Sequence, residues 1–200
     1  MTSTQIQGLT TAQIVQAGTL LANMSSSQIG SLTVAQVQNL TTTEWQGVST
    51  TQLPGLTATQ LQALTTTDLN QTTTTQLGAL SSTQLQALTT AQISQSATLI
   101  ANMSSSQLGT LSVAQVAGLT SSELNGISST NVAGLTSTQI QGLTTAQLSQ
   151  ASTLIANMSS SQIGNLTAAQ ISGLTSSELN GIASTKVGGL TSTQIQGLTT

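Results

Sequence analysis

The sequence lacks cysteine, histidine, arginine, phenylalanine and tyrosine, and it contains one tryptophan, one proline and one lysine. Without cysteine or histidine there is no thiolate nucleophile, no imidazole base, no Ser-His-Asp triad and no typical zinc site. Disulfide bonds are excluded too, which leaves the redox compartment open. We therefore predict that the chain is not an enzyme and has no catalytic, cofactor-binding or metal-binding residues.

Charge is nearly absent as well. Charged residues make up 2% of the chain and the formal net charge is −3, whereas about a quarter of a typical soluble domain is charged. So weak a field does not steer a charged partner. One lysine cannot neutralise a phosphate backbone, which excludes nucleic acid as a partner.

Long apolar runs are also missing. Runs such as residues 19–24, "TLLANM", are far too short to span a bilayer. The first residues lack the basic and apolar regions of a signal peptide. We therefore expect no membrane span and no visible export signal, although the chain can be an excerpt of a longer protein.

What the sequence does contain is a repeat. It divides from Met1 into octads of consensus L-[ST]-x-x-Q-[LIV]-x-[GA], interrupted by three units of seven residues. Position 1 is apolar in nearly every octad, with Thr72 the clear exception, and position 6 is apolar in all of them. Position 2 is Ser or Thr in every octad except the one that carries Ala183. A spacing of five and then three fits neither a strand nor a continuous helix.

The octad instead has the features of a helix start and stop. [ST]-x-x-[QE] is the capping box, and positions 1 and 6 are the two partners of the hydrophobic staple. Gly or Asn at position 8 stands where a left-handed residue would end the helix. Each octad therefore predicts about one capped helical turn. Lys186 cannot close a capping box, so its octad, which also contains Ala183, should have the weakest helix start.

The seven-residue units, at 17–23, 96–102 and 151–157, follow octads that end in Gln rather than Gly. With no glycine between them, octad and seven-residue unit are predicted to fuse into one helix of about three turns. The predicted fused helices cover residues 10–22, 89–101 and 144–156.

A longer period lies above the octad. Residues 80–134 and 135–189 are similar 55-residue copies, and residues 1–55 form a third copy. Residues 56–79 are three inserted octads, and 190–200 begin a further copy. We predict a single octapeptide-repeat solenoid over residues 1–200.

One octad buries too little to fold alone, so its stability must come from stacking on its neighbours. We predict an all-α solenoid of very short capped helices, with two octads per coil and positions 1 and 6 inside. Three octads per coil and a β-solenoid with Thr-lined strands are the alternatives.

Two kinds of residue could suggest a site. Trp45 could stack on a sugar, but it stands at position 6, which favours a place in the core. The four acids, Glu44, Asp68, Glu123 and Glu178, are scattered singly, whereas calcium needs clustered oxygen ligands. Neither kind predicts a binding site.

The in-phase segments "LTTAQI", "LTSTQI", "LTATQL" and "LSVAQV" resemble the LTxxQ octad arrays of very large, repetitive bacterial surface and secreted proteins of the adhesin-like class. The resemblance covers essentially the whole chain. It implies an extracellular or cell-surface stalk, fibre or matrix component, with no catalytic residues to carry over.

The functional expectation is a structural repeat protein: a rigid rod, stalk or extracellular fibre segment that associates with itself end to end or laterally. The alternative is a Thr-rich surface that binds ice or glycans.

Overall fold

The computed structural model describes residues 1–16 and 19–198. Every regular element in the described residues is a helix, and no strand occurs among them. The prediction of an all-α repeat array is thus confirmed, and the β-solenoid alternative is wrong. The chain divides into two compact modules, an N-terminal module of residues 1–102 and a C-terminal module of residues 103–200. The prediction of one solenoid over both modules stays a prediction.

The N-terminal module contains eleven described α-helices and two short 3₁₀ helices. The α-helices are α1 (Ser3–Gln7), α2 (Thr11–Gln16), α3 (Ser26–Ile29), α4 (Val34–Gln38), α5 (Thr42–Gly47), α6 (Ala58–Ala63), α7 (Thr66–Asn70), α8 (Thr74–Ala79), α9 (Ser82–Ala87), α10 (Thr90–Ser94) and α11 (Ala97–Asn102). The 3₁₀ helices are Leu21–Asn23 and Leu53–Gly55.

The C-terminal module contains twelve α-helices among its described residues. They are α12 (Ser105–Thr110), α13 (Val113–Ala117), α14 (Ser121–Gly126), α15 (Ser129–Val132), α16 (Ser137–Gln141), α17 (Thr145–Leu148), α18 (Ser152–Asn157), α19 (Ser160–Gly164), α20 (Ala168–Ser172), α21 (Ser176–Gly181), α22 (Ser184–Val187) and α23 (Ser192–Gly197).

The helices do not end as predicted. No described residue, glycine or other, has a positive φ. The prediction of a left-handed residue at position 8 is therefore wrong. Gly142 at the end of α16 stays right-handed, with φ −74° and ψ −14°. The N–H of Leu143 then donates to the carbonyl of Ile140 at 3.1 Å. This bond tightens the last turn without a left-handed residue.

The coil is also larger than predicted. Helix α6 packs against α4 and α9, which belong to the third octad before it and the third octad after it. Helix α18 likewise packs against α14, α15 and α21, which are four or three units away. Two octads per coil is therefore wrong, and one turn takes between three and four units. The reason is geometric: helices of four to six residues joined by sharp extended corners need that many corners to return over their start.

The predicted fused helices are wrong where the structure describes them. Residues 89–101 contain α10 and α11, and residues 144–156 contain α17 and α18, with a break between the two helices of each pair. Within residues 10–22, positions 17 and 18 lie outside the described residues. At the break between α10 and α11 the N–H of Ser96 donates to the Ile93 carbonyl, and the Ser96 carbonyl accepts from the N–H of Ile100. One residue thus ends one helix and starts the next, so the unit needs only seven residues.

Positions 1 and 6 form the core, as predicted. Leu61, Leu77 and Ile140 at position 6 are fully buried, and Leu64 and Leu143 at position 1 are 3% exposed. Burial of such side chains contributes about 1.5–3 kcal/mol each, but only where a neighbouring turn covers them.

Some position-8 glycines are needed for close packing between turns. A Cβ at Gly134 would overlap the carbonyl oxygen of Ser105 on α12, and one at Gly55 would overlap that of Ser26 on α3. At Gly126, by contrast, a Cβ would meet nothing within 4 Å. Glycine at position 8 therefore permits backbone contact at particular units rather than a special backbone angle.

Candidate functional site

The repeated polar element of the fold is the capping box. In α16 the N–H of Thr136 donates to Oε1 of Gln139 at 2.8 Å, and the N–H of Gln139 donates to Oγ1 of Thr136 at 3.3 Å. This reciprocal pair satisfies two backbone donors that the helix leaves unpaired. The N-cap residues that form the same pair with the residue three positions on are Thr2, Thr10, Ser25, Thr33, Thr41, Thr57, Thr65, Thr73, Ser81, Thr89, Ser104, Ser112, Thr120, Thr136, Thr144, Ser159, Thr167, Thr175 and Thr191.

The capping glutamine has a second role that the sequence did not reveal. Nε2 of Gln139 donates to the carbonyls of Leu108 at 2.9 Å and Leu111 at 2.7 Å, both on the preceding turn of the coil. Its Oε1 caps its own helix, so one amide serves two helices, and the side chain is 1% exposed. Glutamines that donate to two carbonyls of the preceding turn in this way are Gln36, Gln52, Gln60, Gln76, Gln84, Gln92, Gln139, Gln147, Gln162, Gln170 and Gln194.

The frequent glutamine at the N3 position of these helices is the sequence feature that could have indicated this second role. A carboxylate at N3 closes the capping box and is favoured by the helix dipole, so capping alone would not favour glutamine over glutamate. Only the amide carries both an acceptor and a donor. The position therefore selects for a donor as well as for a cap.

Where another residue replaces glutamine at this position, only one of the two roles, acceptor or donor, remains. Glu123 keeps the acceptor role, since its Oε2 accepts from the N–H of Thr120 at 2.8 Å. Asn131 keeps the donor role, since its Nδ2 donates to the Met103 carbonyl at 2.8 Å. Its N-cap, Ser128, makes no side-chain cap bond. Lys186 likewise donates from Nζ to the Ala156 carbonyl.

The weak helix start predicted for the octad that contains Lys186 is seen in the structure. Helix α22 has no side-chain cap bond at Ala183 and comprises only four residues. Helix α15 also comprises four residues without a side-chain cap bond. The sequence does not indicate this weak start, because serine at position 128 is an ordinary capping residue.

The four acids are not brought together. Each closes the capping box of a different helix, α5, α7, α14 or α21. Among the described residues no three acidic, histidine or cysteine side chains gather into a potential metal site. Within that part of the chain the acids therefore do not form the oxygen cluster that calcium needs.

A cavity of about 190 Å³ lies beside Glu44, between Leu21 and α5. Its lining residues are Val15, Leu21, Ala22, Thr41, Thr43, Glu44 and Gly47. Oε1 of Glu44 is buried there without a hydrogen-bond partner, while Oε2 accepts from the N–H of Thr41 at 2.7 Å. One carboxylate among aliphatic groups and hydroxyls does not make a catalytic arrangement.

Trp45 belongs to the core, as predicted. It is 1% exposed, and its Nε1 donates to Oγ1 of Thr72 at 3.0 Å. Thr72 is the polar exception at position 1, so the exception provides the partner that a buried indole N–H needs. A sugar-stacking role for this side chain is thereby excluded.

Two of the seven-residue units, 96–102 and 151–157, receive a cap from another helix. Oδ1 of Asn125 accepts from the N–H groups of Thr153 at 3.0 Å and Leu154 at 3.3 Å, at the start of α18. In the N-terminal module Oδ1 of Asn70 accepts from the N–H of Thr98 in α11 at 3.1 Å. These asparagines supply the cap that a merged junction residue does not give.

Comparison of the chain with protein-family models and with curated proteins finds no match. Across the described residues, no helix has both the length and the apolar character needed to cross a bilayer.

Proposed function

We propose that the chain is a structural repeat segment: a stiff, non-enzymatic spacer of the kind that forms a stalk, rod or fibre outside the cell. The observation that carries this proposal is the doubly bonded glutamine. In both modules the same buried amide caps its own helix and bonds to two carbonyls of the preceding turn. A repeated link between successive turns is what a stiff solenoid needs.

The surface supports the same role. The exposed positions carry mainly hydroxyl and amide side chains, and the acids are used for capping. In such an array the buried polar side chains form hydrogen bonds within the repeat itself. This arrangement suits a spacer that keeps neighbouring domains or molecules apart. The extracellular setting rests on the likeness to bacterial surface arrays.

Small-angle X-ray scattering tests the spacer. A globular chain of 200 residues has a radius of gyration of about 16 Å, and we expect a clearly larger value with the profile of an elongated particle. A value at the globular limit would contradict the rod.

Self-association is part of the proposal. Val187 and Ile195, at core positions of the C-terminal module, are 45% and 50% exposed, whereas their counterparts Val132 and Ile140 are fully buried. A second copy is the partner that would cover them. Sedimentation velocity over a range of concentrations should show association, and a strictly monomeric protein would contradict it.

One observation favours a hydroxyl-lined binding surface as a second candidate function. Exposed hydroxyls form pairs across positions 2 and 4, as in Thr57 with Thr59 at 3.1 Å and Thr136 with Thr138 at 3.1 Å. Regularly spaced hydroxyl groups of this kind suit the ordering of surface water or hydrogen bonding to sugars. A thermal-hysteresis assay and a glycan array test this candidate, and two blank results would remove it.

A further inference from the structure

Asp68 stands at the octad position that glutamine normally occupies, in the interior of the N-terminal module. Gln60 and Gln76, at the same position of the octads on either side, donate from Nε2 to carbonyls 31 and 28 positions earlier. By the same offsets the carbonyls of Val37 and Leu40 lie opposite Asp68, and the packing of α7 against α5 agrees with this register. Asp68 therefore faces two backbone oxygens without an amide to donate to them.

The carboxylate of Asp68 is only partly used by its own helix. Its Oδ2 accepts from the N–H of Thr65 at 3.1 Å and from Oγ1 of the same residue at 2.6 Å. Its Oδ1 has no hydrogen-bond partner among the described residues, although Asp68 is only 5% exposed. A buried polar oxygen without a partner is uncommon and indicates that something else satisfies it.

The two carbonyls opposite Asp68 lack the donor that glutamine provides elsewhere. Leu40 closes its helix by donating its N–H to the Val37 carbonyl at 3.2 Å. Within the described residues the Leu40 carbonyl itself accepts no hydrogen bond, whereas the carbonyl of Leu32, its counterpart one octad earlier, accepts from Gln60 at 2.7 Å. One carboxylate oxygen and two carbonyl oxygens thus meet between two turns of the coil.

Glu178 shows what distinguishes Asp68 from an acid that stands over a seven-residue unit. Glu178 lies 27 positions after Ala151, the first residue of such a unit. The Ala151 carbonyl accepts from the N–H of Ile155 at 3.0 Å, so it already has a donor. Glutamate is also one methylene longer than aspartate and leaves less space in front of the carbonyls. Asp68 combines a short acid with a free carbonyl.

We propose that Oδ1 of Asp68 and the carbonyls of Val37 and Leu40 bind a calcium ion between two turns of the N-terminal module. All three are hard oxygen ligands of the kind that calcium takes, and water supplies the rest of its about six to eight ligands. The ion takes the place of the glutamine amide, because its positive charge attracts the same two carbonyls and also compensates the buried carboxylate. Magnesium suits the site less, since it loses its own waters reluctantly and requires near-ideal octahedral geometry.

The ligand set predicts weak binding. The number of charged ligands and the rigidity of a site set its calcium affinity, and modules outside the cell bind with dissociation constants of about 10⁻⁴–10⁻³ M. A value in that range is expected, because the site has one carboxylate and two neutral carbonyls. The remaining ligands come from the backbone, so the site does not require the four acids to gather. The proposal is independent of the spacer function.

Trp45 makes ion binding at this site directly measurable. It is the one tryptophan of the chain. Its Nε1 donates to Oγ1 of Thr72, which donates in turn to the Asp68 carbonyl at 3.2 Å. Terbium(III) prefers the same oxygen ligands as calcium, and a nearby indole sensitises its emission. Excitation of Trp45 in the native protein should give saturable terbium emission. CaCl₂ should displace this ion at concentrations at least about tenfold lower than MgCl₂ or NaCl.

Two variants locate the ion. Asp68→Gln introduces the residue that the array normally has here, and it should reduce the terbium emission at least about tenfold because an amide donor replaces the carboxylate. Glu44→Gln changes the acid next to Trp45, whose Oε1 is also without a partner, and should leave the emission unchanged. Emission that survives Asp68→Gln, or that is lost in Glu44→Gln, would overturn the proposal.

Unfolding in urea gives a second readout that does not use terbium. At a calcium concentration about ten times the dissociation constant, the equilibrium constant for unfolding should fall about tenfold relative to NaCl of equal ionic strength. Asp68→Gln should show no such dependence on calcium. An equal response of the two proteins, or no response of the native protein, contradicts calcium binding at Asp68.

Discussion

The junction before an octad and the junction before a seven-residue unit make the same corner with different numbers of residues. At the octad junction Leu135 closes the previous helix and Thr136 caps the next one, which leaves the Leu135 carbonyl free to accept Nε2 of Gln162 at 3.2 Å. At the shorter junction Ala151 does both, and its carbonyl accepts from the N–H of Ile155 at 3.0 Å.

Removing one residue therefore removes both a hydroxyl cap and a free carbonyl. The cap is replaced by Asn125 from another helix. Three units after Ala151, where an octad array would place a donating glutamine, stands Glu178, which has no amide to donate. Octad junctions are thus capped by a residue within the same octad. The short junctions before α11 and α18 are capped by an asparagine far away in the sequence.

The largest effect is expected where an octad junction touches a neighbouring backbone. Gly134→Ala should destabilise the protein by about 3 kcal/mol or more, since its Cβ would overlap the Ser105 carbonyl. Gly126→Ala, with open space around it, should change stability by no more than about 1 kcal/mol. Urea unfolding measures both, and equal losses would refute the close-contact explanation.

The next effect concerns the glutamine of an octad junction. Gln60→Ala removes the cap acceptor of α6 and the donor to the carbonyls of Ile29 and Leu32, which should cost about 2–4 kcal/mol. Gln60→Glu keeps the cap acceptor but turns a buried carboxylate oxygen toward these two carbonyls, so it should be destabilising as well. The exposed Gln38 provides the control, since Gln38→Ala should be almost neutral in the same urea titration. A loss as large at Gln38 as at Gln60 would contradict the linking role.

The short junction should respond to a change in a distant residue. Asn125→Ala leaves the N–H groups of Thr153 and Leu154 without their cap and should cost about 1–2 kcal/mol. Asn180→Ala, the same change in the equivalent octad of the next 55-residue copy, should cost less than about 0.5 kcal/mol. Thermal unfolding can rank the two variants, and a larger loss for Asn180→Ala would reverse the comparison.

The smallest effect is a gain. Ala183→Thr supplies the missing hydroxyl cap of α22 and should stabilise the protein by about 1 kcal/mol. Ala183→Val has nearly the same shape without the hydroxyl and serves as the control. The capping explanation fails if valine raises the melting temperature as much as threonine does.

Much of the fold follows from local features of the sequence. The capping box places each helix start, and the spacing of Leu61 and Leu64 places the core. These features could be predicted because a box and its staple lie within a single octad.

What could not be predicted depends on contacts between turns. The number of octads per coil follows from corner geometry, which no single octad contains. The two hydrogen bonds from Nε2 of Gln139 reach the carbonyls of Leu108 and Leu111, which lie 31 and 28 positions earlier in the chain. The merged junction at Ser96 looked like a continuous helix because only the packing of later turns requires a corner there.

Within each module, successive turns of the coil are bonded through glutamine amides, with between three and four units per turn. Nuclear Overhauser contacts from the side-chain amide protons of Gln60 test it directly. The structure predicts contacts with residues 29–32, whose carbonyls accept from this amide. Contacts with residues 44–48 instead, as a coil of two octads requires, would contradict it.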